Sequence, residues 1–187
     1  MCNPASFIVT KDRVFWSRKH ESHSEIINEY KLHADGVGGP NICKVEITPP
    51  NADFRLALDE WQFRVDEQVT PKWCDPAEIE ARVRETLPEW LAAKVVLPGQ
   101  VAEVIDSNIL ACYGQVRACN SSQVRAYGSS QVTAYDSSQV REMLDRSVVQ
   151  TDHAIDPAIV KSAEAVLIDR SGYRVVVHVG ADVLAKK

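Results

Sequence analysis

Between Gln115 and Arg141 the apolar positions recur every eight residues. Val116, Val124, Val132 and Val140 each follow a glutamine, and Ala118, Ala126 and Ala134 stand two residues after the first three valines. A spacing of two places each Val/Ala pair on one face of an extended strand, so Arg117, Arg125 and Thr133 fall on the other. Asn120, Gly128 and Asp136, each followed by Ser-Ser, mark corners, because these residue types tolerate turn dihedrals. Val148 keeps the eight-residue register once more. A helix does not fit: eight residues do not return to the same helical face, and Val beside Gly-Ser-Ser opposes helix formation. Two architectures fit. In a β-solenoid the strands stack so that Val and Ala fill a thin interior and Ser or Gln form ladders along the axis. In an antiparallel meander the Gly-Ser-Ser and Asp-Ser-Ser corners are hairpin turns. The near-identity of the copies favours the solenoid.

The chain before the repeat mixes periods. Ser6–Thr10 and Arg13–Trp16 predict a β-hairpin turning at Lys11-Asp12. Ser22 with Glu25 three residues on predicts a capped helix start, followed by Ile26, Ile27, Tyr30 and Leu32 at helical spacing. His33–Asn41 is rich in breakers and predicts a loop. Ile42–Thr48 and Trp61–Val65 read as strands. Asp75-Pro76-Ala77-Glu78 is a strong helix start, and Ile79, Val83 and Leu87 continue it at four-residue steps. Pro88 is expected to end or kink that helix, with a further turn over Glu89–Ala93 and a strand over Lys94–Leu97. No βαβ rhythm appears. The expected architecture is an α+β domain over 1–100, an octad-repeat β-stack over 101–150, and a C-terminal segment over 151–187. In that last segment Asp156-Pro157-Ala158 predicts a short helix to about Ala163. Ala165–Asp169 and Tyr173–Val179 predict a β-hairpin that caps the stack.

The run AYGSSQVTAYDSSQ (126–139) resembles the octads of bacterial ice-nucleation proteins, which implies a β-solenoid. It does not imply ice binding, because Val and Arg stand where a flat threonine-rich face is needed. The opening MCNPASF and the QV octads together resemble uncharacterised bacterial and bacteriophage proteins, in which a non-repetitive N-terminal domain precedes such repeats. That resemblance implies an accessory role in phage or mobile-element biology.

Composition narrows the function classes. Apolar residues make up 45% and charged residues 25% of 187, which suits a globular chain. The net charge of −5 argues against affinity founded on phosphate neutralisation, so no nucleic-acid partner is expected. No apolar run is long enough for a membrane span, and the first residues lack a secretory signal pattern, so a cytoplasmic protein is expected. Five cysteines without a CxxC pair fit reduced thiols better than a disulfide framework or zinc site, with Cys112 and Cys119 expected as rung residues.

Candidate chemistry is sparse. Cys2, once Met1 is trimmed, offers a thiol beside its own α-amine, the N-terminal-nucleophile arrangement. The likeness to class II glutamine amidotransferases is confined to that position, and it implies a small hydrolase or amidotransferase. His20, His23 and His33 form a histidine cluster, but no Cys, Asp or Glu follows at a matching ligand spacing, so neither a metal nor a cofactor is expected. The same histidines with Trp16, Arg18, Asp35 and the glycine-rich 36–40 loop form the best candidate site for a small ligand or protein partner. Arg117, Arg125 and Arg141 are expected on a shared outward face of the repeat, read as a solvated surface. The leading expectation is a non-enzymatic binding protein, with the β-stack as a rigid arm or oligomerisation surface.

Overall fold

A computed structural model describes residues 5–33, 35–36, 39–67, 69–172 and 175–180. The chain divides into two compact units, Met1–Ala93 and Lys94–Lys187. Among the described residues no helix is long and apolar enough to cross a membrane.

The first unit is an antiparallel sheet covered by two helices. Strand β1 (Ala5–Val9) turns at Lys11-Asp12 into β2 (Val14–Phe15), with the Thr10 N–H donating to the Arg13 carbonyl at 2.8 Å. Helix α1 (His23–Glu29) starts at the expected N-cap: Ser22 Oγ accepts from the Glu25 N–H at 3.3 Å and donates to Glu25 Oε2 at 2.6 Å. Residues 33–41 are not simply a loop, since β3 (Asp35–Gly36) and β4 (Gly39–Pro40) form a two-residue antiparallel ladder. Strands β5 (Cys43–Thr48) and β6 (Gln62–Val65) complete the main sheet in the order β2-β1-β5-β6.

Every residue of β1 is buried, because both of its faces are covered. Ile8 packs with Ile26 of α1 and with Ile42. Phe7, on the opposite face, meets Trp90 at a ring distance of 6.3 Å, within an aromatic group completed by Phe54 and Trp61. Trp90 is carried by α2 (Pro76–Lys94), whose N-terminus is capped by Asp75 accepting from the Ala77 N–H at 2.9 Å. Pro88 does not end this helix. Leu87 and Trp90 on either side of it are both buried, and their packing holds the helix past the missing backbone donor.

The second unit is a parallel β-solenoid. Its strands are β7 (Val95–Val96), β8 (Val101–Ile105), β9 (Asn108–Cys112), β10 (Gln115–Cys119), β11 (Gln123–Ala126), β12 (Gln131–Ala134), β13 (Gln139–Met143) and β14 (Val148–Thr151). They are followed by β15 (Val166–Asp169) and β16 (Val176–Val179). From β7 to β14 neighbours in sequence alternate between two sheets, ordered β16-β15-β14-β12-β10-β8 and β13-β11-β9-β7. Gln115 therefore lies beside Gln131 and Gln123 beside Gln139, in parallel, so one coil holds two octads and the meander is excluded. Val116, Ala118, Val124, Ala126, Val132 and Ala134, inward from both sheets, share one core.

Each corner is a four-residue turn. Ser122, Ser130, Ser138 and Ser147 return their N–H groups to the carbonyls of Cys119, Tyr127, Tyr135 and Leu144 at 3.0–3.2 Å. The residue after each acceptor has positive φ: Asn120 54°, Gly128 58°, Asp136 56° and Asp145 53°. Hence Asn, Asp and Gly occupy these positions. Of each Ser-Ser pair the second serine is buried, small enough to sit inside the bend.

The exact eight-residue register ends at β13. A bulge sets Arg125 beside Glu142 and Ala126 beside Met143, so Met143 takes the interior place due two residues after Val140. One residue later than expected, Val149 rather than Val148 faces the core opposite Val132. The helix expected after Asp156 stops after one 3₁₀ turn, Pro157–Ile159. Val160 is instead drawn into the stack, fully buried and bridged in parallel to Met143, while the Lys161 N–H donates to the Met143 carbonyl at 2.9 Å. The C-terminal hairpin is present: β15 adds in parallel to β14, and β16 returns antiparallel along β15.

Candidate functional site

The described part of the first unit has a cleft of about 490 Å³ beside β2 and the end of α1, in the size range of small-ligand pockets. The β1–β2 hairpin places Arg13 and Phe15 on one side and leads directly to Trp16, Arg18 and Lys19. Helix α1 supplies Glu29 and its C-cap Tyr30, and α2 supplies Thr86 and Glu89. The Tyr30 hydroxyl donates to the Trp16 carbonyl at 2.9 Å, fixing the indole-bearing segment against α1. Its ring lies 5.1 Å from Phe15. Burial, with Glu29 nearby, pushes the Tyr30 phenol above its ordinary pKa, so it remains a donor at neutral pH.

The cations of the cleft are arranged over aromatic faces. The Arg13 guanidinium lies 5.1 Å from the Phe15 ring centre and that of Arg18 6.0 Å from Trp16. Such stacking orients a guanidinium against the ring. Three cations against two carboxylates give the cleft a positive balance within an acidic chain.

The expected site residues do not all converge. Trp16 and Arg18 line the cleft, whereas the histidines are placed elsewhere. His20 pairs with Glu25 at 3.5 Å. The hydroxyl of Ser22, reinforced by His20, holds the Glu25 carboxyl below its usual range. His23 donates through Nε2 to the Val45 carbonyl at 3.0 Å and sets Nδ1 3.5 Å from Asp66. His33 is exposed after α1. Asp35 lies in β3, but its side chain, like all of Cys2, is outside the described residues. The cleft residues that the sequence did not single out include Arg13, Phe15, Lys19, Glu29, Tyr30 and Glu89. A signal was present in RVFWSRK (13–19), where cations flank two adjacent aromatics.

His23, Glu46 and Asp66 present ligand atoms within 4.8 Å of one another. Arg64, the cross-strand neighbour of Glu46, already bonds both carboxylates, the second at 3.5 Å. A guanidinium therefore supplies the positive charge between them, and the group acts as an ionic strap from α1 to β5 and β6. In the solenoid, His153 is similarly committed, with Nε2 2.7 Å from the Ser138 carbonyl and Nδ1 3.0 Å from Asp152 Oδ1.

The repeat arginines do not form one ladder. Because a coil takes two octads, Arg117 lies on the β10 sheet and Arg125 and Arg141 on the β11–β13 sheet. Arg117 has Glu103 and Thr133 as its lateral neighbours and stacks 4.8 Å from the Tyr135 ring centre. Arg141 donates to Gln123 Oε1 at 3.2 Å. Comparison with known proteins returns no matching family model, no matching curated protein and no matching solved structure.

Proposed function

We propose that this chain is a non-enzymatic binding protein whose first unit holds an anionic partner segment or small acidic ligand. In this reading the solenoid serves as a rigid arm and self-association surface. The observation that carries it is the coincidence of a ligand-sized cleft with Arg13 and Arg18 stacked on the half-buried rings of Phe15 and Trp16, and with Lys19 in the same lining. A planar carboxylate fits such guanidinium edges bidentately. A cytoplasmic setting and an accessory role in phage or mobile-element biology belong to the same reading, by resemblance of the MCNPASF opening and the octads.

The test uses a dansyl-labelled tetraglutamate peptide and fluorescence anisotropy. Binding is expected to weaken about tenfold in Arg18→Ala, the size of one lost charge-assisted hydrogen bond, and to weaken further with added salt. No binding to wild type, or binding indifferent to both Arg13→Ala and Arg18→Ala, overturns the reading.

Self-association is supported by β16, the last strand of its sheet among the described residues, where Val176, Val177 and Val179, with Val175 just before the strand, are exposed. An apolar edge strand invites pairing with a second copy. Sedimentation velocity is expected to show dimers or larger species that dissociate in Val177→Lys. A monomer at tens of micromolar wild-type protein contradicts this part.

A further inference from the structure

The two units contain four described cysteines, all free, and two of them touch. Cys43 opens β5, opposite Val9 of β1, and is fully buried. Cys74 closes a turn in which its N–H donates to the Pro71 carbonyl at 2.9 Å, and it immediately precedes Asp75, the cap of α2. Their sulfurs are 3.2 Å apart, inside ordinary sulfur–sulfur contact, and the Cys74 thiol donates to Cys43 Sγ. Burial, then the Cys74 thiol, pushes Cys43 up to about 12, so at rest Cys43 is a thiol and not a reactive thiolate. Cys74 is also buried, but 8% of the residue is exposed against none of Cys43, so it is the less enclosed of the pair.

We propose that Cys43 and Cys74 are a redox-responsive pair that closes to an intramolecular disulfide when the protein meets hydrogen peroxide. The thiolate of Cys74 attacks one peroxide oxygen, the O–O bond breaks, and the departing hydroxide takes the proton that Cys74 has lost, giving water and a Cys74 sulfenic acid. Cys43, already in contact, then attacks that sulfur. The S–S bond forms as the S–O bond breaks, and the released hydroxide leaves as water with the Cys43 proton. Two thiols have lost two electrons and two protons, and one peroxide has become two waters. Cys43 acts as the resolving thiol because contact with Cys74 offsets its low thiolate fraction.

The bond joins the central sheet to the entrance of α2, the helix that brings Thr86 and Glu89 to the cleft. It is a covalent clamp across the first unit. The inference rests on the contact of the two sulfurs and stands whether or not the cleft binds anions.

Peptide mapping of the full chain tests it. Trypsin cuts after Lys44 and after Lys72, so the two cysteines fall in different peptides. After reduction, stoichiometric peroxide and alkylation in denaturant, the two peptides are expected as one disulfide-linked species, lighter by two hydrogens than the sum of the two, which separates on adding reductant. Cys112, buried and apart, is expected to remain alkylatable. Peroxide is also expected to raise the thermal midpoint of the first unit by about 5–10 °C, as loop closure by a disulfide does, and to leave that of Cys74→Ser unchanged. Complete alkylation of both thiols after peroxide overturns the proposal. So does a peroxide-induced rise in midpoint that persists in Cys74→Ser.

Discussion

Val132→Asp is expected to cost about 3–5 kcal/mol of stability, whereas Thr133→Asp, one residue on, is expected to cost less than about 1. Val132 is 2% exposed and lies between Val116 and Val149 of the adjoining rungs, with the interior shared by both sheets around it. A carboxylate there would be set among apolar side chains, with no cation in the core cluster of the described residues and the neighbouring strand N–H groups already used along the stack. Thr133 points outward between Arg117 and Gln150, so an aspartate at that place is solvated and gains a nearby guanidinium. The two substitutions introduce the same charge into the same strand and differ only in the face that carries it. Urea midpoints for the two variants decide the matter: equal midpoints contradict the inward-outward assignment of the octad.

The octad was legible because its information is local and repeated. Val, Ala and the corner residue recur at fixed steps, and each corner at Asn120, Gly128 and Asp136 has the positive φ that its residue type anticipates. What sequence periodicity left open was the number of octads per coil. That depends on whether a strand pairs with the next strand or with the one after it, and both choices present the same residues inward. The structure selects the second, which is why Arg117 and Arg125 lie on different sheets. The slip at β13 was illegible for a similar reason. Glu142 occupies the position of the repeated alanine, and only a bulge that substitutes Met143 keeps a carboxylate out of the core.

Around the cleft, local signals located elements but not their convergence. The hairpin and both helix caps were readable from turn and N-cap chemistry, and they brought Trp16 and Arg18 to the right place. The histidines were grouped by their closeness in sequence, yet α1 and its entry disperse them: His20 toward Glu25, His23 toward Val45 and Asp66. Glu46 with Arg64 and Cys43 with Cys74 are pairings between segments far apart in sequence, and a single sequence carries no mark of them. Pro88 shows the opposite error, a strong local signal overridden by the burial of Leu87 and Trp90.

Gly114→Ala is expected to destabilise the solenoid by about 3 kcal/mol, more than Gly128→Ala, although Gly128 is the glycine with unusual dihedrals. At Gly128 φ is +58° and the nearest atom to an added Cβ is a Tyr113 ring carbon at 3.6 Å, so alanine meets only the backbone preference, about 1 kcal/mol. At Gly114 the added Cβ falls 2.4 Å from the Gln100 carbonyl oxygen and 2.6 Å from that of Leu97. Neither oxygen is at liberty to move. The Gln100 carbonyl accepts the Gln115 N–H at 2.9 Å, and the Leu97 carbonyl accepts the Gln100 N–H at 3.1 Å. Gly114 itself is held from its other side, where its carbonyl accepts the Gln131 N–H at 2.9 Å. Relieving the clash therefore separates the first rungs of the stack and breaks at least one of these bonds. Paired thermal or urea unfolding of the two variants tests this: a Gly114→Ala loss no larger than that of Gly128→Ala means the corner relaxes without parting the rungs.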